Sequence, residues 1–317
     1  MAGVSLAFSA IIALALTLLR GDVASPFEIP VYRHLILFQD YYLIIPFMAV
    51  LMAALVEPVR AAGARLAHWS GSNVWLVAIA TTALLGYGSH AAYHAHPLSL
   101  DEYAVVFQSR VFAEGKLSGL FPPPLVDWLV PKFFQGRFLR LDMESGAVAA
   151  VYWPGFALLL APFSAFGVPW LLNPILGGAT VLVMHRLGLA LFGNAERAGF
   201  VVLLTLASPA ITINALSYYS MPAHLLANAL FVQLLLPASA GRAFVAGLVG
   251  SIALVLHNPV PHMAFALPWI VWLAFQPSRW KLLGALAAGY LPASLVLGWG
   301  WAIFLHNLGS PASLADL

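Results

Sequence analysis

The sequence predicts an all-α polytopic membrane protein, with about nine transmembrane helices and one large outer loop that contains amphipathic juxtamembrane helices. Three observations predict it. Of the 317 residues, 62% are hydrophobic and only 8% charged, with a mean hydropathy of +0.90; soluble domains carry about 25% charged residues. The apolar residues fall in runs close to the length of about 20 that a crossing helix needs. The acidic residues cluster: six of the 12 (Asp101, Glu102, Glu114, Asp127, Asp142 and Glu144) lie between residues 97 and 147. A net charge of +2 argues against a nucleic-acid partner, and a chain with no cysteine has neither a disulfide framework nor a thiolate metal site.

Taken in order, residues 4–19 form a first, short span, with no Lys or Arg before them to mark a signal peptide. Further spans fall at 41–57, 74–93, 168–190, 198–213, 218–237, 243–257, 260–276 and 282–305. The apolar stretch 148–166 is broken by Pro154-Gly155 and by Pro162, and reads as a helix lying at, or dipping into, the outer interface. Sidedness follows from the positive charges, which favour the cytoplasm in short loops. Arg60 with Arg65, Arg186 with Arg197, Arg242, and Arg279 with Lys281 occupy four short loops. All four are cytoplasmic only if 148–166 does not cross. Residues 94–147, the Ser217–His224 turn and the His257–His262 turn then lie outside.

The outer loop carries local structure of its own. Residues 100–114 read as an amphipathic helix with Tyr103, Phe107 and Arg110 on one face. Phe121-Pro122-Pro123-Pro124 breaks the chain. Val126–Val130 and Lys132-Phe133-Phe134 then suit an interfacial segment, with aromatics and cations at headgroup depth.

Candidate chemistry begins at Asp101 and Glu102. Ser99-Leu100-Asp101-Glu102 is a capping-box pattern, in which Glu102 reaches back to the Ser99 amide. Asp101 in the first turn is left free, and the helix dipole favours its ionised form. It suits either a metal ligand or a general base. Arg110, Lys116, Lys132, Arg137 and Arg140 are cations able to hold a phosphate or to touch solvent and lipid headgroups. Of the ten histidines, His90, His94, His96, His257 and His262 fall at the outer ends of two spans. The turn His257-Asn258-Pro259-Val260-Pro261-His262 offers groups to bind phosphate, ligate a metal or shuttle protons. The turn Ser217-Tyr218-Tyr219-Ser220-Met221-Pro222-Ala223-His224 lines a sugar pocket or belongs to an aromatic belt.

The order and sidedness of Asp101-Glu102, Tyr152-Trp153-Pro154-Gly155 and Arg186–Gly193 resemble the GT-C superfamily of membrane glycosyltransferases, which includes the protein mannosyltransferases and the aminoarabinose transferases of lipid A. The resemblance covers roughly residues 74–305 as a seven-helix module whose outer catalytic loop is 94–167. Residues 1–73 are then two added N-terminal transmembrane helices, and 306–317 an outer C-terminal tail. It implies an inverting transfer of a sugar from a polyprenyl-phosphate carrier to a hydroxyl of a glycan, lipid or protein acceptor. It also implies an integral membrane protein of the bacterial inner (cytoplasmic) membrane, with its active site facing outward. By the same resemblance Asp101 is the base and Glu102 its helper. Arg110, Lys116, His257, Asn258, His262, Tyr218, Tyr219 and His224 would bind substrate or phosphate. A divalent cation is an open expectation, because the second acid that many relatives carry in the next outer turn is missing from Ser217–His224. Relatives also continue beyond the seventh span into an outer domain; with this sequence ending at Leu317, the expectations are a fragment of a longer enzyme, a minimal module, or half of an active complex with a partner subunit. The alternatives are a transporter or binding protein for lipid-linked sugars, or an accessory subunit of a transferase complex.

Overall fold

The computed structural model describes residues 55–308, with a few isolated positions between 10 and 53. The spans expected at 4–19 and 41–57, and the tail from residue 309 onward, lie outside the described residues. The chain divides into two compact units, residues 1–68 and 69–317. The structure is 75% helical.

Helix α1 (Glu57–Ser72) contains Arg60 and Arg65, so the expected short loop there is a helix instead. Then follow α2 (Val74–Ala91), α3 (Leu100–Ala113) and α4 (Val126–Leu129). Strands β1 (Gly119–Leu120), β2 (Leu139–Leu141) and β3 (Ala147–Ala150) form a small antiparallel sheet in the order β1-β3-β2, with Gly119 opposite Val148 and Arg140 opposite Ala149. The remaining helices are α5 (Gly155–Ala165), α6 (Leu172–Phe192), α7 (Ala195–Ala207), α8 (Pro209–Leu216), α9 (Met221–Leu235), α10 (Ala240–Val255), α11 (Pro259–Ala274), α12 (Arg279–Ala293) and α13 (Gly300–Asn307).

Length and apolar composition allow three helices among the described residues to cross a membrane: Val74–Ala91, Pro169–Phe192 and Arg279–Asn307. A fourth span arises if α7 and α8, bent by 58° at Ser208, count as one broken crossing. The expected spans at 218–237, 243–257 and 260–276 correspond to helices of only 15 or 16 residues. At 1.5 Å per residue these rise about 24 Å, against a hydrocarbon core of about 30 Å. Hydropathy runs continue past the points where Ser220, Ser239 and Asn258 begin new helices, which is why the runs look longer than the helices they contain.

The stretch 148–166 is not one helix. Its start belongs to β3, and the helix that follows, α5, has 11 residues. This is too short to cross. However, α5 does not lie free at an interface: Phe156 and Leu160 are buried with Val105 and Val106 of α3, Leu172 and Tyr218.

Helices α10 and α12 pack closely through small residues, which let their backbones approach. A Cβ on Gly247 of α10 would lie 2.2 Å from the Leu286 carbonyl, and one on Gly289 of α12 would lie 2.1 Å from that of Phe244. Just beyond, Pro292 interrupts α12 and the helix widens into a π-type turn over Ser294–Trp299. Ser251 of α10, fully buried, repairs the ladder there: its hydroxyl donates to the Tyr290 carbonyl (2.6 Å) and accepts the Ser294 amide (2.8 Å).

Helix α3 forms as expected but buries a different face. Tyr103 and Arg110 are exposed, whereas Glu102, Val105, Val106 and Ser109 are buried. The reason is that α3 is covered twice, by α5 on one side and by the sheet on the other. Its buried polar groups are matched: Gln108 accepts the Ala150 amide (2.8 Å) and donates to the Leu117 carbonyl (2.9 Å), and Ser109 meets Ser164 at 2.7 Å. The 126–134 segment is likewise divided. Val126 and Val130 are buried under the sheet, while Trp128 and Phe133 are exposed.

Candidate functional site

Asp101 is the second residue of α3, and its carboxylate is not free as the sequence suggested. The Tyr152 hydroxyl donates to Asp101 Oδ1. Tyr152 is fixed from three sides. Its carbonyl accepts from Trp301 Nε1 (2.8 Å), its ring lies over the His257 imidazole at 4.1 Å and 31°, and its edge meets Phe138. Burial, and then the hydrogen bond to Asp101, push the Tyr152 hydroxyl well above the usual phenol range. It therefore remains a donor at neutral pH and holds one carboxylate oxygen, leaving Oδ2 for another partner.

His257 reaches this place because α5 starts on the end of α10. The Phe156 amide donates to the Leu256 carbonyl (2.9 Å), and a Cβ on Gly155 would lie 2.6 Å from the Val255 carbonyl. Only glycine allows so close an approach. Burial lowers the pKa of His257, and the nearby Asp101 charge opposes this only in part. The imidazole is thus neutral at pH 7, and its Nδ1 is buried without a hydrogen-bond partner.

Glu102 has a different task. The capping box is present, with Ser99 and Glu102 satisfying each other's amides. The same carboxylate also accepts from the Leu98 amide (3.0 Å) and, across 116 residues, from the Tyr218 amide (2.8 Å). At 1% exposure it is a buried junction between the 94–147 loop and the 217–220 turn. The Tyr218 hydroxyl completes the junction by donating to the Ala95 carbonyl (2.7 Å). His94 and Ala95 adopt left-handed conformations (φ 51° and 53°), a backbone cost that this clasp helps to hold. Burial and then the Glu102 charge push the Tyr218 hydroxyl up to about 12. Tyr93 is raised by burial, Glu102 and Tyr219. Asn173 anchors the turn from α6 through bonds to the Ser217 (2.7 Å) and Tyr219 (2.8 Å) carbonyls.

Of the residues picked from sequence, Asp101 and His257 meet at Tyr152. Tyr219 lies within electrostatic reach of Tyr152, and His224 within reach of His257. His224 also buries an unpartnered Nδ1. Others do not join them. His262 is enclosed in the helical core, where Nδ1 meets Asn228 Oδ1 (2.6 Å) and Nε2 meets the Tyr290 hydroxyl (2.7 Å). It ties α9, α11 and α12 and has no ring nitrogen to spare. Asn258 caps α11 through the Val260 amide (3.0 Å). Arg110 lies nine residues past Asp101, roughly 13 Å along the helix, and its charge reaches the Tyr218 hydroxyl instead. Lys116 pairs with Glu114 (2.7 Å) and lines a separate cavity. Among the other histidines, His90 meets Trp170 edge-on and His96 bonds the Tyr103 hydroxyl (2.7 Å).

That cavity, of about 480 Å³, is bordered by Phe112, Lys116, Leu158, Val296, Trp301 and Phe304. Trp301 is shared with Tyr152, so the cavity abuts the Asp101 site. Among the described residues no three His, Asp or Glu side chains converge as ligands for a metal. Two participants were missed from sequence, Tyr152 and Trp301. The Tyr152-Trp153-Pro154-Gly155 motif signalled the first; nothing local marks the second.

Compared with known proteins, the chain matches no family model, no curated protein and no solved structure.

Proposed function

We propose that the protein is a membrane glycosyltransferase that moves a sugar from a polyprenyl-phosphate carrier to an acceptor hydroxyl at the outer face. The observation that carries this is the Asp101 carboxylate, held by Tyr152 at the first turn of α3, beside a neutral imidazole and next to an apolar cavity. Oδ2 of Asp101 accepts the proton of the acceptor hydroxyl as its oxygen attacks the anomeric carbon. The bond from that carbon to the phosphate oxygen breaks, its electron pair leaves with the polyprenyl phosphate, and the anomeric configuration inverts. General-base help of this kind contributes about 10²- to 10⁴-fold. The cavity suits an isoprenoid tail: its wall is apolar, and Lys116 supplies a point charge for the phosphate. In this reading Glu102 positions the loop rather than touching substrate. The test is whether the purified protein, given a labelled lipid-linked sugar and a hydroxyl acceptor, releases the bare carrier.

The proposal includes a topology of about nine spans, with the shorter helices α9, α10 and α11 crossing in locally thinned or protein-lined regions. Because the chain has no cysteine, single replacements report sidedness directly. Trp128→Cys and Val260→Cys, both at exposed positions, are expected to react with an impermeant thiol reagent from outside. Ser278→Cys is expected to react only after permeabilisation. Labelling of Ser278→Cys from outside would sink this arrangement.

A further inference from the structure

Trp301 is the side chain that the apolar cavity and the Asp101 site have in common. Its indole Nε1 donates to the Tyr152 carbonyl (2.8 Å), and the residue borders the cavity. The break in α12 brings it there. Pro292 interrupts that helix, the π-type turn Ser294–Trp299 follows, and Trp301 comes directly after it in α13. The turn packs on the chain beside Tyr152: a Cβ on Gly298 would lie 3.6 Å from the Trp153 ring and 3.5 Å from the Val255 side chain. Trp301 is buried, with the Phe112 and Phe304 rings against its own at 5.7 Å and 4.9 Å.

The cavity takes its walls from the elements that carry the site. Phe112 stands in the last turn of α3, the helix that Asp101 begins, and Pro154 and Leu158 closely follow Tyr152. Val296 is exposed on a stretch, Arg279–Asn307, that is long and apolar enough to cross a membrane. A hydrocarbon chain therefore has a way in from lipid. At the edge, Lys116 is held only by an exposed ion pair with Glu114, which costs little to exchange for a phosphate. A chain packed against the Trp301 ring restrains that ring, and the indole N–H cannot move apart from it. Binding energy gained far from the reacting atoms is in this way used to orient them.

We infer that Trp301 is a positioning residue: the carrier's isoprenoid tail, packed against its ring in the cavity, fixes the Tyr152 backbone and with it the phenol that holds Asp101. This rests on the carrier part of the transferase reading above. In this role Trp301 touches neither the sugar nor the phosphate, and acts on Asp101 only through Tyr152.

The test uses the full chain in detergent micelles with 3-fluorotyrosine placed at Tyr152. Its fluorine resonance is followed as decaprenyl phosphate or inorganic phosphate is added, and native mass spectrometry reads binding. With no other change, decaprenyl phosphate is expected to bind and to shift the resonance, and inorganic phosphate to leave it in place. Trp301→Phe keeps an aromatic wall but loses the N–H. It is expected to bind decaprenyl phosphate within about threefold of wild type and to lose the shift. Trp301→His keeps a ring N–H and is expected to retain part of the shift. Gly300 also borders the cavity, and a Cβ there would meet only the Leu295 carbonyl, at 3.7 Å. Gly300→Leu is therefore expected to keep its melting temperature and to weaken decaprenyl phosphate binding about tenfold by overfilling the cavity. If both Trp301 variants misfold, the two ligands and Gly300→Leu decide, because Trp301 is intact in those arms. The inference is overturned if decaprenyl phosphate does not bind, or binds without moving the resonance. It is equally overturned if inorganic phosphate moves the resonance as far, if Gly300→Leu binds as wild type does, or if folded Trp301→Phe keeps the full shift. A protein that shows this coupling but transfers no sugar would overturn the transferase reading and leave the role of Trp301 in place.

Discussion

Replacing Asp101 by Asn is expected to lower sugar transfer about 10³-fold without lowering the melting temperature. Asn has nearly the same shape and its carbonyl oxygen can still accept the Tyr152 hydroxyl, so the local structure is retained. What it lacks is a second oxygen able to take a proton. The comparison separates chemistry from scaffolding, because Tyr152, His257 and Trp301 all keep their partners in the variant. Kinetics on the purified variant, with carrier binding measured in parallel, would check it: kcat falls and carrier affinity does not. A variant that turns over at the wild-type rate would remove Asp101 from the mechanism.

Glu102→Ala is expected to act in the opposite way, on stability. The side chain is buried and accepts the Leu98, Ser99 and Tyr218 amides. Truncation strands the buried Tyr218 amide and removes the acceptor of the part-buried Leu98 and Ser99 amides, at about 1–3 kcal/mol for each donor left unsatisfied. The loss opens the clasp between the 94–147 loop and the 217–220 turn, because Tyr218 also bonds Ala95 and Asn173 holds the neighbouring carbonyls. Glu102→Gln keeps one carbonyl oxygen but turns an NH₂ toward an amide donor, so an intermediate loss is expected. Unfolding by graded detergent denaturation gives the ranking. Equal stability of Glu102→Ala and wild type would show that the junction contributes nothing to the fold.

These two neighbours also show what was legible in the sequence. The capping box spans three residues, and local patterns of that kind can be read directly. So could the long apolar helices at 74–91 and 169–192, whose length and apolar composition meet what a membrane crossing needs. The partners of Asp101 and Glu102 could not, because they lie 51 and 116 residues away and are brought in by tertiary packing. Residues 148–150, read as the start of a helix, are strand for a related reason. A short apolar run does not distinguish strand from buried helix, and the pairing that decides it comes from Gly119–Leu120 and Leu139–Leu141. The turn that permits this pairing rests on Gly146 (φ 74°), where a Cβ would lie 1.9 Å from the Phe121 carbonyl. His262 was grouped with His257 by closeness in sequence. Five residues and a new helix start turn it instead toward Asn228 and Tyr290. The His224 and His257 nitrogens carry no such structural partners, and only the packed structure separates the two cases.

The most direct measurement is turnover of a labelled lipid-linked sugar by the purified protein in liposomes that also hold a hydroxyl acceptor. A transferase that uses Asp101 releases bare polyprenyl phosphate in step with glycosylated acceptor, and its Asp101→Asn variant releases almost none. Movement of intact labelled lipid between the two leaflets, with no bond broken in either protein, would contradict the transferase reading and establish a transporter instead.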